Sequence, residues 1–64
     1  MLMSTYDKDY EAYLKEAWML YRKGVDAEGS ERQYYLKQAK QVLYNVPSGY
    51  GNRDDLMSRI DSML

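Results

Sequence analysis

The sequence has no cysteine, no histidine and no phenylalanine, and it has a single proline. Without cysteine the chain has no disulfide, no thiolate metal site and no cysteine nucleophile. Without histidine it lacks the commonest general base and the commonest transition-metal ligand. These absences argue against an enzyme, and we expect a protein that carries neither a metal nor another cofactor.

The chain also has no large excess of positive or negative charge. Nine Lys and Arg residues stand against ten Asp and Glu residues, so the net charge of −1 creates no general attraction to nucleic acid. No apolar run approaches the ~20 residues of a membrane span, and the first residues do not form a signal-peptide pattern. We therefore expect a cytoplasmic protein that does not enter the membrane.

The short length of the chain limits the stability that its core can provide. Its 64 residues predict one small helical domain over residues 1–64, which buries only about 60% of the surface that the unfolded chain exposes. Domains of this size usually need a disulfide, a metal, a partner or very regular helix packing. Since cysteine and histidine are absent, regular helix packing or a partner is expected to supply the stability.

Apolar residues recur at helical spacing along the first part of the chain. They predict a helix over residues 6–24, with Ser4 or Thr5 as its N-cap. Gly24 or Gly29 is expected to end it, since glycine is favoured just beyond a helix C-terminus. The residues of this stripe are Tyr6, Tyr10, Tyr13, Leu14, Ala17, Trp18, Tyr21 and Val25.

Two further helices follow. Ser30 and Gln33 form a capping box at the start of a helix predicted over residues 30–46, and Pro47 ends it. Asn52 is the expected N-cap of a third helix, over residues 52–64. Their apolar stripes are Tyr35, Leu36, Ala39, Val42, Leu43 and Val46 in the second helix, and Leu56, Ile60, Met63 and Leu64 in the third. The predicted fold is all-α, a hairpin or bundle of three antiparallel helices.

Two short motifs resemble known sites without completing them. Asp7, Asp9 and Glu11 have the spacing that opens a calcium loop, but Ala12 and Trp18 stand where that loop needs Gly and Glu. We interpret the motif as the acidic first turn of a helix. The segment 49–51 lacks the Lys-Ser/Thr pair of a phosphate-binding loop.

Some large side chains miss the apolar stripes, and these are the candidate partner-binding residues. Tyr34 and Tyr44 lie far from the stripe of the second helix, with Lys37 and Gln41 between them, and Met19 projects from the polar side of the first helix. Tyrosine is enriched at interface hot spots. We therefore predict an interaction module that docks another protein through this face. Ordinary exposed side chains, or a surface covered by the third helix, are the competing interpretations.

Two other functions remain as alternatives. In the first, the chain self-associates into a homo-oligomer through the same aromatic residues. In the second, the helix predicted over residues 30–46 binds nucleic acid, since Arg32, Lys37 and Lys40 outnumber Glu31 there. A surface that follows phosphates needs more cations than this. Nucleic acid is therefore disfavoured as the partner.

A weak family resemblance supports the interaction hypothesis. Trp18, Tyr21 and Gly24 lie in the first predicted helix, Tyr35 and Ala39 lie in the second, and Pro47 closes the second helix. This arrangement weakly resembles a helical hairpin of the tetratricopeptide type. The resemblance implies a protein- or peptide-binding role and assigns no binding residue.

Overall fold

The computed structural model describes residues 9–64. It contains three α-helices, α1 (Tyr10–Asp26), α2 (Gly29–Leu43) and α3 (Arg53–Met63), and no strand within these residues. The all-α, three-helix prediction is confirmed. Tyr6, Ser4 and Thr5, which were predicted to begin and cap the first helix, lie outside the described residues.

Helix α1 has its own N-cap in Asp9. The Asp9 carboxylate accepts a hydrogen bond from the backbone N–H of Ala12 at 3.2 Å, which satisfies a donor that the first turn leaves free. Glu11 follows in that first turn, where the helix dipole favours a negative charge. The part of the acidic motif that is described, Asp9 and Glu11, therefore belongs to a helix start.

Neither of the two predicted glycines ends α1. The helix continues past Gly24 to Asp26, and Gly29, with a φ of +62°, is the first residue of α2. The predicted end at residue 24 is therefore two residues short. Gly24 is instead buried inside the helix, where an added Cβ would lie 2.8 Å from Cδ2 of Leu36. Its missing side chain lets the backbone of α1 approach α2 closely.

The C-terminal end of α1 is closed by Arg32 of α2. The Arg32 Nε donates to the carbonyl oxygens of Gly24 at 3.2 Å and Ala27 at 3.0 Å, and Nη2 donates to that of Val25 at 3.1 Å. The last carbonyls of a helix have no partner within the helix. Because a side chain from the next helix binds them, α1 ends without a glycine cap, and α2 turns back antiparallel to it.

A second arginine closes α2 in the same manner. The Arg53 Nε, at the start of α3, donates to the carbonyl oxygens of Val46 at 3.1 Å and Leu43 at 3.4 Å. Helix α2 ends at Leu43, three residues before the predicted end at residue 46. The residue before a proline is disfavoured in helical geometry, and Val46 lies in the turn before Pro47 while remaining buried.

The connection from α2 to α3 is tied to both neighbouring helices. The Ser48 hydroxyl and the Gly49 N–H each donate to the Asp54 carboxylate at 2.9 Å. The Tyr50 ring meets the Tyr10 ring of α1 edge-on, with 5.1 Å between centroids. Arg53, at the start of α3, lies against the end of α2, and Asp61, near the end of α3, pairs with Lys40, so α3 runs back along α2 in the predicted antiparallel sense.

The core lies on the inner side of α2. Helix α1 makes its main contacts with α2, and α3 packs on α2 much more than on α1. Helix α2 is therefore the central element, and one of its sides is used for packing. The buried apolar side chains among the described residues are Ala17, Leu36, Ala39, Leu43, Val46, Leu56 and Ile60.

The role of Arg32 can be tested by Arg32→Met, which keeps the apolar stem and removes the guanidinium. We expect a loss of about 1–3 kcal/mol in the free energy of unfolding, because the carbonyl groups of Val25 and Ala27 lose the guanidinium donor and that of Gly24 keeps only its bond from the backbone N–H of Ala27. Urea unfolding followed by circular dichroism measures it. Arg22→Met, at an exposed position on α1, is the matched control, and an equal loss in both variants would contradict the capping role.

The bonds that the Asp54 carboxylate accepts from Ser48 and Gly49 predict that stability depends on pH. Two hydrogen bonds from side chains hold the pKa of Asp54 below its ordinary value of 3.8, and the one from Ser48 has a larger effect than the one from Arg53. The charged carboxylate therefore stabilises the folded state above that value, and this contribution is lost as the pH falls through the lower pKa of the folded state.

We expect Asp54→Asn to reduce stability at pH 7 and to leave it unchanged at a pH low enough to protonate the carboxyl group in the folded protein. Thermal unfolding of both proteins between pH 7 and pH 2 measures the difference. Asp55→Asn, at the neighbouring exposed position, is the control. If the difference in thermal stability between Asp54→Asn and the unmodified chain does not shrink on acidification, the stabilising role of the Asp54 carboxylate is contradicted.

Candidate functional site

Four of the predicted binding residues lie together on one side of α2, with Tyr44 as the C-cap residue that directly follows the helix. Tyr34, Lys37, Gln41 and Tyr44 follow one another at steps of three, four and three residues. At 3.6 residues per turn this spacing places them within about 80° of arc. The buried residue Leu36 lies on the opposite side. We call this set of four residues the α2 face.

The α2 face is open to solvent along its whole length. Tyr34 and Tyr44 are each 59% exposed, and Lys37 and Gln41 are exposed as well. The interpretation in which the third helix covers this surface is therefore wrong, because α3 packs on a different side of α2. The two tyrosines lie ten residues apart, so they mark the ends of a stripe about 15 Å long.

The α2 face carries only one charge. Lys37 is its single ionisable side chain apart from the tyrosines, and the exposed neighbours Gln33 and Gln38 are neutral amides. One charged residue in four is close to the 30% of the whole chain, so this face is distinguished by its two tyrosines. Enrichment of tyrosine is typical of the centre of a protein interface.

The nearest other cation on α2 is directed towards α3. The Lys40 Nζ lies 2.7 Å from Oδ1 of Asp61, and this hydrogen bond raises the pKa of Lys40. Tyr34 is supported from the side by Tyr35, whose ring it meets edge-on with 5.4 Å between centroids. The surroundings therefore leave the charge of Lys37 as the one that an approaching partner meets on this face.

Met19 does not belong with the other four residues. It is 56% exposed, but it follows the buried residue Ala17 by two positions, which is about 200° around the helix. Since Ala17 and Gly24 form the buried side of α1, against α2, Met19 points away from α2. A partner that lies flat on the α2 face does not reach Met19.

A second surface was missed by the sequence analysis. Trp18, which was assigned to the packing side of the first helix, is 37% exposed. It lines an open groove of about 700 Å³ between α1 and the start of α3. The groove exists because α3 packs mainly on α2 and leaves this side of α1 partly uncovered. Its lining residues are Asp9, Glu11, Ala12, Leu14, Lys15, Trp18, Asn52 and Leu56.

Within residues 9–64 no group of three or more acidic side chains is arranged to hold a metal ion. In the same part of the chain, every buried side-chain nitrogen or oxygen has a hydrogen-bond partner. None of the three helices described here is both long enough and apolar enough to cross a membrane.

Comparison with known proteins adds no relative. No family model, curated protein or solved structure matches the chain. The resemblance to a tetratricopeptide hairpin therefore stays a prediction, and the function has to be argued from the surfaces of the molecule.

The exposure of the two tyrosines predicts that they contribute little to folding. We expect Tyr34→Ala combined with Tyr44→Ala to change the free energy of unfolding by no more than about 1 kcal/mol, since surface substitutions away from buried features usually have small effects. Leu43→Ala, at a fully buried position, is the contrasting control and should cost about 2–5 kcal/mol. Urea unfolding gives both values, and unfolding of the double variant would place the tyrosines in the core.

Proposed function

We propose that this protein is a small non-enzymatic interaction module, which regulates another protein by docking on it through the α2 face. The observation that carries the proposal is the pair of tyrosines, each 59% exposed, on a side of the central helix that has a single charge. The fold leaves these two large side chains mostly exposed, whereas tyrosine is among the residues that most often anchor protein interfaces.

The mechanism is the docking of a helix into a groove of the partner. Tyr34 and Tyr44 would enter two apolar pockets about 15 Å apart, the distance set by ten helical residues. Lys37 and Gln41, between them, offer an ammonium and an amide to acceptors and donors of the partner and so fix the register. Recognition through residues spaced three, four and seven apart is a recurring mode of helix binding.

The rest of the fold supports this mechanism by keeping α2 ordered before binding. The inner side of α2 packs on both neighbouring helices, and arginine side chains bind the carbonyl groups at the turns on either side of it. A binding helix that is already formed loses less conformational entropy when it binds.

The extent of the α2 face predicts a modest affinity. Stable complexes usually bury about 800 Å² on each partner, and a stripe two to three turns long offers less than that. We therefore propose a reversible complex, in which the two tyrosines supply most of the binding free energy and the polar residues supply specificity.

The structure gives nucleic acid little to bind on this helix. Of the three cations that favoured it, Arg32 binds the carbonyls of α1 and Lys40 pairs with Asp61. Lys37 alone is left to meet a phosphate on this side. Since nucleic-acid affinity rests largely on several phosphate contacts, we retain a protein as the proposed partner.

Capture of a partner from the native lysate tests the proposal. We expect the unmodified chain to retain a protein that is lost with Tyr34→Ala combined with Tyr44→Ala, because the two anchors are removed while the fold remains. Met19→Ala is the matched control, since Met19 is equally exposed on the opposite side and should leave capture unchanged. Equal capture by all three proteins would contradict docking through the α2 face.

A further inference from the structure

The four residues of the α2 face are arranged symmetrically along the helix. Tyr34 and Tyr44 each lie five positions from Ala39, and Lys37 and Gln41 each lie two positions from it. Ser30 extends the same stripe, so the steps along α2 are four, three, four and three residues. This alternation keeps the five residues on one side of the helix, and only Tyr34 and Tyr44 among them offer the large apolar area that a coiled-coil seam has at each such position.

We propose that the α2 face binds the α2 face of a second copy of this chain, with the two helices antiparallel. The proposal shares its surface with the proposed function and names a second copy as an occupant of it. Reversal of one helix about Ala39 places Tyr34 opposite Tyr44 of the second copy, and Lys37 opposite Gln41. Each contact then forms twice around a twofold axis, which closes the assembly as a dimer.

The antiparallel orientation is favoured by charge. In a parallel pair, Lys37 would face Lys37 of the second copy, and two ammonium groups would meet at the centre of the interface. In the antiparallel pair, each ammonium faces the side-chain amide of Gln41, whose oxygen accepts a hydrogen bond. Like charges placed opposite each other oppose association, so the chain's own residues select one orientation.

The aromatic residues define where the pair begins and ends. Two Tyr34–Tyr44 contacts would form, one at each end of the stripe, and aromatic pairs of this kind add to the free energy of apolar burial. Helices α1 and α3 pack on other sides of α2, so neither blocks the approach of a second copy. The polar residues at the centre lower the affinity and fix the register, as a polar residue within a coiled-coil seam does.

The small area makes the dimer weak. A contact of two to three helical turns falls below the size of a stable interface, so monomer and dimer exchange reversibly. The same face would serve a different partner only after the dimer separates. Self-pairing would therefore compete with docking on another protein.

Sedimentation equilibrium of the full chain, from about 10 μM to about 1 mM, tests the proposal over the range expected for a weak complex. We expect a reversible monomer–dimer equilibrium. Gln41→Lys should weaken it about tenfold, because an added ammonium faces Lys37 of the second copy at two symmetric places. Ser58→Lys, at an exposed position on α3, adds the same charge and should leave the equilibrium unchanged.

A charge reversal distinguishes the two orientations. Lys37→Glu combined with Gln41→Lys should restore association at least to the level of the unmodified chain, because opposite charges then face each other in the antiparallel pair. In a parallel pair the same two substitutions would set like charges against each other. Restoration supports the proposal, and further weakening of the dimer overturns it.

Other outcomes separate this proposal from the proposed function. A chain that stays monomeric at about 1 mM overturns self-pairing, while tyrosine-dependent capture of another protein would still support docking. A dimer that is unaffected by Tyr34→Ala combined with Tyr44→Ala uses a different surface and also overturns the proposal. A tyrosine-dependent dimer in a chain that captures no other protein supports self-pairing and contradicts docking on a different partner.

Discussion

Bonds from arginine side chains to backbone carbonyl groups fix the two turns of this small fold. Arg32 closes α1 and Arg53 closes the turn after α2, so each turn is fixed by a residue that already belongs to the next helix. These contacts satisfy polar groups at the helix ends and also set the direction in which the chain returns. They place α2 in the centre, with α1 and α3 on its inner side and its outer side free.

The number and type of the elements could be predicted from sequence because both depend on local spacing. Apolar residues at steps of three and four make an amphipathic helix wherever the rest of the molecule lies. The ends of the helices depend on distant groups. Gly24 has the residue type of a helix end, but its position against Leu36 makes it a contact between helices, and no local pattern shows that Arg32 reaches back to α1.

Some properties of the candidate site could likewise be predicted from one helix, and others depend on how two helices pack. Tyr34 and Tyr44 could be separated from the core stripe by counting positions around one helix, and the structure leaves both exposed. The relation of Met19 to them depends on how two helices pack, which one helix cannot show. Trp18 lies at the edge of its stripe, and its exposure results from the short contact between α1 and α3. Local spacing therefore predicts the faces of each helix, and tertiary packing decides which faces meet.

The position of Trp18 has a consequence for spectroscopy. It is the only tryptophan in the chain, and it lies in the groove between α1 and α3, away from the α2 face. Its emission therefore reports on that groove, while the tyrosines of α2 are the chromophores closest to the proposed interface. Selective excitation of the indole therefore separates events in that groove from events on the α2 face.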